Sequence, residues 1–591
     1  MTVGITSIDI APSVDEDRLL KLLVEDGEIV TERLDHWVRE RPDARYLYYG
    51  EDATSLTYAE FGTLTDTIAG NLAAHGAVKG ERVSVLTTNS YLAAVMMFAI
   101  WKCGAIYCPV NFAYTGRLLA YQLDDTAPRL LITDTAHLSA INDVAADLAH
   151  RPTLVVHSRS AGEHGEVPDA DPRFTTIPWA SLVAQGAARP DVEILFDDPA
   201  NIVYTSGTTG PAKGVVQPYR WMAQYTFGLR SLLTRDDVIY SDLPMYHVGG
   251  AIANVARAAW VGCAVAIWDR FSPNDFWDRI AISGSTSAIL LDVMIPWLMN
   301  ADPRADDRVN TLNKVYMQPL PQHHAEVASR FGFDLVMAGF GQTESGATVN
   351  AFIVETAPGE GTPATHYRGL SHAEITERAD QRGIRVLSGA EVTEKGFMGS
   401  PGPFCEVSIR GEHDRECAVG EPGQLVLRPR LPGLTMLGYH GKPEATVAAW
   451  RNLWLHTGDA AVCDADGTFV FVDWLGDRIR VRGENLSSYQ VEDLVNQHPA
   501  VQFCAAFAIP SDSGTEDDVV VYVVPADGVA LTAEIIHQHA ESVMPKYMRP
   551  RIVRVVSDLP RTATNKIEKY RLRRRILDEL AGPAGSATAP S

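Results

Sequence analysis

The sequence predicts an α/β protein: a large N-terminal domain of parallel α/β subdomains ending in a β-rich subdomain, then a small α+β C-terminal domain. Three observations carry this reading. First, the runs "RVSVLT" (82–87), "AIYCPV" (105–110), "RLLITD" (129–134) and "TLVVHS" (153–158) alternate with stretches of helical spacing, the pattern of parallel βαβ units. Second, the chain turns glycine-rich and polar from about 355 to 400, and beyond it "EVSIRG" and "GQLVLRP" read as short strands. Third, the pattern restarts on a smaller scale after "VDWLGDRIRVRGENLSSYQVED" (472–493). There a helix with Val491, Leu494 and Val495 on one face precedes the strands "FCAAFAI" and "DVVVYVVP", another helix and "RIVRVV". We therefore expect a large domain over 1–473, a small one over 474–580, and a disordered tail over 581–591, where "AGPAGSATAPS" has nothing to bury.

Composition narrows the function classes. With 591 residues, 46% hydrophobic and 21% charged, the chain has enough material for more than one core. A formal net charge of −23 repels polyphosphate backbones and anionic membrane surfaces, which excludes nucleic acid as the main partner. The seven cysteines are scattered with no CxxC pair, as expected for reduced thiols of a cytoplasmic protein. Acidic residues stand near the N-terminus where a signal peptide would carry basic ones. The most apolar segment, "YLAAVMMFAIWKCGAIYCPV" (91–110), is divided by Lys102 and Gly104 and closed by Pro109, so it reads as a buried helix and strand rather than a transmembrane span.

"YTSGTTGPAKGVV" (204–216) has the composition of a phosphate cradle. Glycines raise the entropy cost of ordering and add no packing, so something must approach this backbone closely. Amides and hydroxyls of Thr205, Ser206, Gly207, Thr208, Thr209 and Gly210 can donate to phosphate oxygens, and Lys213 adds a charge. The flanks predict a strand at "ANIVY" before the loop and a helix after Pro218. Lys213 lies between Ala212 and Gly214, which is not the Walker pattern, and "GFGQTE" lacks the third glycine of a dinucleotide fingerprint.

Three further islands hold polar groups that local structure does not require. "GFGQTESG" (339–346) places Gly341, Gln342, Thr343 and Glu344 just past a strand-like "DLVMAG". "WLHTGDAA" (454–461) puts Asp459 at a turn, and "PRTATNKIEKYRLR" (560–573) puts Lys566 in a polar loop. Taken singly, Glu344 reads as a helix cap, Asp459 as a turn residue, Lys566 as a solvated charge and His247 as a structural histidine. Together and in this order, from about residue 30 to 578, the islands resemble the core motifs of the adenylate-forming superfamily, which includes acyl-CoA synthetases, luciferases and peptide-synthetase adenylation domains. "LPMYHVGG", "RFSPNDFWD" and "GENLSSYQVED" are most similar to crotonobetaine/carnitine-CoA ligases and fatty-acid-transport type acid:CoA ligases.

The resemblance implies an ATP-dependent, AMP-forming ligase that adenylates a carboxylic acid and passes the acyl group to coenzyme A. It assigns Thr205 to Lys213 to the β- and γ-phosphates, Thr343 to the α-phosphate, and Glu344 to Mg²⁺. Gly341 and Gln342 belong to the same nucleotide motif, and Asp459 would take both ribose hydroxyls. Lys566 would bridge the carboxylate and the α-phosphate, and His247 would serve as a pocket or tunnel gate. It also implies a mobile C-terminal domain that turns about a hinge near Gly476 and Asp477, bringing Gly483 of "VRGENL" to the pantetheine tunnel. No general base is needed, because a carboxylate is already an anion at neutral pH.

Two segments depart from the family. Trp474 stands where relatives carry a ribose-contacting arginine, and Met317 and Gln318 replace a small-residue pair beside the acyl pocket. Two added side chains there point to a short or oddly shaped acid. The segment "LPMYHVGG" lacks the aspartate that amino-acid-activating relatives use. An alternative keeps adenylation but activates a small oxyanion such as nitrite for transfer to an amine, and a third reading is a degenerate nucleotide-binding protein. The sequence leaves open whether the chain acts alone or as a homo-oligomer.

Overall fold

The computed structural model describes residues 16–157, 169–205, 212–291, 294–474, 478–481, 484–511, 517–544, 546, 548–562 and 567–581. Two large sheets form the body. The first has eight strands in the spatial order 438–439, 213–218, 199–205, 106–109, 82–86, 130–134, 153–157 and 176–178. The strands 82–86, 106–109 and 130–134 run parallel, as their alternation with helices predicts. The helix Ser90–Lys102 is buried along almost its whole length and leads to the strand Ile106–Pro109. Its Lys102, with no exposed surface, is held by Asp66 at 2.6 Å and Asp35 at 3.6 Å. No described helix is long and apolar enough to cross a membrane.

The second sheet has fourteen strands and joins the parallel body to the β-rich part without a break. Strands 238–241, 264–267, 287–291, 314–318 and 335–342 are parallel. At Leu335–Gln342 the pairing turns antiparallel, to Gly346–Val354, and the sheet continues through strands 397–401, 469–474, 455–463, 423–429 and 405–410. The β-rich subdomain is thus an extension of the same sheet. The polar stretch before it also forms the helix His372–Arg382, opened by a capping box between Ser371 and Glu374.

The C-terminal part has its own three-stranded sheet, with Val501–Pro510 antiparallel to Asp517–Pro525 and Ile552–Val555 parallel to the latter. One face buries Val491, Val495, Val519, Val521 and Ile536; the other buries Phe507, Tyr522, Leu572 and Ile576. Two covered faces make this sheet a separate packing unit, as the restarted pattern predicts. The helix Lys569–Ala581 closes it and takes in Ala581, the first residue of the expected tail, while 582–591 lie outside the described residues.

Candidate active site

The Gly/Ser/Thr stretch joins two antiparallel strands rather than a strand and a helix. Pro199–Thr205 pairs with Lys213–Pro218 in a register that sets Thr205 opposite Lys213. The sequence reading omits this second strand. Val215 and Val216 supply its β-branched residues, and Pro218 starts the helix Tyr219–Ser231. Ser206, Gly207, Thr208, Thr209 and Gly210 lie outside the described residues, as do Gly483, Lys566 and the hinge positions Gly476 and Asp477. The loop's bases are firmly tied. Tyr204 Oη donates to Asp125 Oδ2 at 2.8 Å, Lys442 Nζ meets Asp125 Oδ1 at 2.5 Å, and Tyr121 Oη donates to the Ala212 carbonyl at 2.9 Å.

The short strand Gly438–Tyr439 extends the same sheet beside Lys213–Pro218 and brings Tyr439 over the cation. Lys213 Nζ lies 4.9 Å from the centre of the Tyr439 ring, and Tyr439 Oη donates to Glu344 Oε1 at 3.1 Å. Burial, and then the Glu344 charge, push the Tyr439 phenol pKa up, so it remains a donor at neutral pH. Glu344 itself is fixed through its carbonyl, which accepts from Met436 N at 2.8 Å. The preceding Thr343 is buried, and its carbonyl accepts from Gln217 Nε2 at 2.8 Å.

Asp459 is not at a turn. It lies within the strand Leu455–Cys463, 2% exposed, and pairs with Trp474 across the ladder. The turn-like "HTG" reflects Gly458 at φ +80° and a register shift between Ala460 and Ala461, which mark a β-bulge. The bulge sets the carboxylate beside Gln342, whose Nε2 donates to Asp459 Oδ2 at 2.5 Å and to the Thr457 carbonyl at 3.0 Å. Gly341, Gln342, Thr343 and Glu344 therefore form one row between Asp459 at one end and Lys213 with Tyr439 at the other.

His247 lies on a different segment of the chain, two residues before the π-helical stretch. It is exposed, and its Nδ1 accepts from Gly249 N at 3.1 Å at the entry to the π-helical segment Gly249–Ala256. A Cβ at Gly250 would lie 2.5 Å from the carbonyl oxygens of Leu243 and Pro244, so this tight entry requires glycine. Met317 and Gln318 do not share a face. Met317 is fully buried in the core, whereas Tyr316 and Gln318 stay partly accessible, because strand side chains alternate. On that strand Gln318 and Tyr316, not Met317, keep accessible surface.

Sequence reasoning missed Gln217 and Tyr439, and it did not connect Gln342 with Asp459. The signal for Tyr439 is its place after Gly438 in a stretch that returns to the cradle's sheet, which only long-range pairing reveals.

The matched family models cover both parts of the chain. The model of the AMP-binding enzyme matches residues 34–440, and that of the AMP-binding enzyme C-terminal domain matches 490–566. The chain belongs to the AMP-binding enzyme family. A crotonobetaine/carnitine–CoA ligase of Citrobacter koseri is 28% identical over 88% of this chain and 93% of its own length. A sulfoacetate–CoA ligase of Cupriavidus necator is 27% identical over 90% of this chain and 94% of its own. The solved structure of o-succinylbenzoate coenzyme A synthetase from Bacillus subtilis, in complex with ATP and magnesium ion, superposes with a TM-score of 0.71 at 22% identity, covering 92% of this chain and 99% of that one. In this AMP-binding enzyme Gln342 is bonded to Asp459, and Tyr439 to Glu344, with Lys213 over the Tyr439 ring.

Proposed function

We propose that this AMP-binding enzyme is an ATP-dependent, AMP-forming acid:CoA ligase, which adenylates a carboxylic acid and transfers the acyl group to coenzyme A. The observation that carries it is the row from Lys213 through Glu344 and Thr343 to the Gln342–Asp459 pair. Its chemistry suits ATP at both ends. A cation and a hydroxyl-rich loop meet the phosphates, and a buried carboxylate accepts from two ribose hydroxyls. The relatives' ligase activities and the ATP–magnesium complex of the structural neighbour support the same reading.

ATP, Mg²⁺ and coenzyme A are the cofactor and co-substrates of this reading. Glu344 fits a Mg²⁺ ion, which takes oxygen ligands, usually one or two carboxylates together with phosphate oxygens and water. When bound, the ion would neutralise charge on the phosphates. The chain's own groups do the rest. Thr205 through Lys213 hold the β- and γ-phosphates, Thr343 orients the α-phosphate, and Gln342 holds Asp459 toward the ribose. Lys566 supplies a positive charge where the carboxylate oxygen attacks phosphorus, an interaction stronger in the transition state than in the ground state. Pyrophosphate leaves, and the thiol of coenzyme A then displaces AMP from the acyl carbon. Gly483 would give the pantetheine arm close passage along the backbone, and His247, which is exposed, would serve as the pocket or tunnel gate.

We assign the large domain to 1–474, one residue past the expected boundary at 473, and the small one to the residues after it, through Ala581 rather than 580. The body's last strand ends at Trp474, and the C-terminal residues pack into their own two-faced core. We place the enzyme in the cytoplasm, where ATP and coenzyme A are supplied and where its seven free thiols stay reduced. The test is ATP-dependent pyrophosphate release with a panel of acids, in which formation of a coenzyme A thioester supports the reading. Turnover only with nitrite and an aromatic amine would replace it by the alternative acceptor chemistry.

A further inference from the structure

Arg257 stands out among the arginines of the body. It is 1% exposed, at the junction between the π-helical segment Gly249–Ala256 and the helix Arg257–Val261. Among the described residues no carboxylate lies within ion-pair distance of it. Its Nη2 donates to Asn254 Oδ1 at 3.4 Å, and its Nε has no hydrogen-bond partner. Asp237 is within electrostatic reach but is already committed to Lys314 Nζ at 2.8 Å and to Thr286 Oγ1 at 2.7 Å. Burial lowers the Arg257 pKa to about 10, which leaves the guanidinium charged at neutral pH. A buried charge with only a neutral partner is costly for a fold, and other buried arginines here avoid it: Arg220 pairs with Glu28 at 2.5 Å and Arg230 with Asp26 at 2.8 Å.

The surroundings connect this charge with the adenylation row. Asn254 is held by its Nδ2 donating to Ser241 Oγ at 3.1 Å, at the carboxyl end of a parallel strand, the end at which ligands bind in such sheets. The Tyr225 phenol lies within electrostatic reach of Arg257, and that of Tyr316 within reach of Tyr225. Both tyrosines remain partly accessible although they pack against the main core and burial raises their pKa values. A Cβ at Gly339 would lie 3.3 Å from Tyr316 Oη, and Gly339 leads directly into Gly341 to Glu344. A π-helical segment, a rare conformation found often at functional sites, places Asn254 and Arg257 at the far end of this path.

We propose that Arg257 is a specificity-determining residue: its guanidinium is the counter-charge for a second anionic group, a carboxylate or sulfonate, at the end of the acid remote from the carboxylate that is adenylated. This rests on the acid-ligase reading above and adds the class of acid. The bifurcated guanidinium suits either oxyanion, Asn254 orients it, and the tyrosine hydroxyls offer further donors along the chain of the acid.

The test compares matched acids on the full-length enzyme with ATP and Mg²⁺. Succinic, glutaric and adipic acids are each set against their monoamides, and 3-sulfopropanoic acid against 3-(methylsulfonyl)propanoic acid, reading kcat/KM for pyrophosphate release. The wild type favours the anionic terminus by roughly tenfold or more in at least one pair, and Arg257→Met reduces that ratio to about twofold, with Arg257→Lys between them. The carboxylate and sulfonate arms tell which oxyanion is preferred. The ratio is the readout, so a uniform loss of activity does not count as support. Equal or better use of the neutral partners by the wild type, or an unchanged ratio in Arg257→Met, would overturn the proposal while leaving the ligase intact. If Arg257→Met does not fold, the wild-type ratio alone decides. Failure with every acid, including plain monocarboxylic acids, would overturn the ligase reading and this proposal with it.

Discussion

Replacing Asp459 by asparagine changes one charge and almost no volume at a position that is 2% exposed and bonded to Gln342 at 2.5 Å. The strand and its bulge at Gly458 give no reason for the fold to change. A hydrogen bond to an ionised acceptor contributes about 1.5–3 kcal/mol net, and a neutral amide keeps only one acceptor for two ribose hydroxyls, so roughly 2 kcal/mol of nucleotide binding is lost. At 1.36 kcal/mol per factor of ten this is about thirtyfold in affinity. Titration calorimetry with ATP and with 2′,3′-dideoxy-ATP, on both proteins, isolates the term as a double-difference cycle. The wild type should bind ATP about thirtyfold more tightly than the dideoxy analogue, and Asp459→Asn should retain only a small part of that preference. The same discrimination in both proteins, or an equal loss of both nucleotides in the variant, would show that Asp459 serves only to hold Gln342.

Three other outcomes follow from named groups. Lys566→Ala should slow adenylate formation by about 10²–10³-fold while thioester formation from a supplied acyl-adenylate continues; equal loss of both steps would remove Lys566 from its assigned role. Tyr439→Phe removes the hydrogen bond to Glu344 but keeps the ring beneath Lys213, so MgATP binding should weaken by about fivefold, roughly 1 kcal/mol, with little change in melting temperature, and unchanged MgATP binding would contradict the assignment. Burial pushes the Asp242 carboxyl up to about 6 from 3.8, so its contribution to stability is complete below pH 3.8 and is lost as pH rises through about 6, roughly 3 kcal/mol in all. Asp242→Asn should therefore gain stability relative to wild type between pH 4 and 7 in urea titrations, and a flat difference over that range would refute the shift.

Local signals made much of this molecule readable. Parallel strands alternate with helices in the text as they do in the first sheet, and the buried helix and strand of 90–109 follow from an apolar run broken by Lys102 and closed by Pro109. The composition of 204–216 reads as a phosphate cradle because glycines and hydroxyls have no packing use there, and its middle, 206–211, lies outside the described residues. The errors lie where tertiary pairing overrides local preference. Gly458 suggests a turn at Asp459, but the ladder with 469–474 draws it into a strand as a bulge. A helix does follow Pro218, yet the six residues Lys213–Pro218 complete a hairpin that only pairing with 199–205 stabilises. Met317 and Gln318 look equivalent in sequence, and the alternation of their strand sends one into the core. The Gln342–Asp459 bond joins residues 117 apart, and the Tyr439–Glu344 bond joins residues 95 apart, so neither leaves a local trace. Arg257 sits in "GGAIANVARAAW", which reads as an apolar core helix, and its missing counter-ion is visible only in three dimensions.

The central claim is that this AMP-binding enzyme makes an acyl-adenylate and hands the acyl group to coenzyme A. Its most direct test is pyrophosphate release from ATP and Mg²⁺ across short, aromatic, long-chain and two-headed carboxylic acids and nitrite, with coenzyme A or an aromatic amine as acceptor and products identified by mass. The account predicts AMP, pyrophosphate and an acyl-CoA thioester from a carboxylic acid. Release confined to nitrite with an amine, or no acid-dependent release at all, would contradict it.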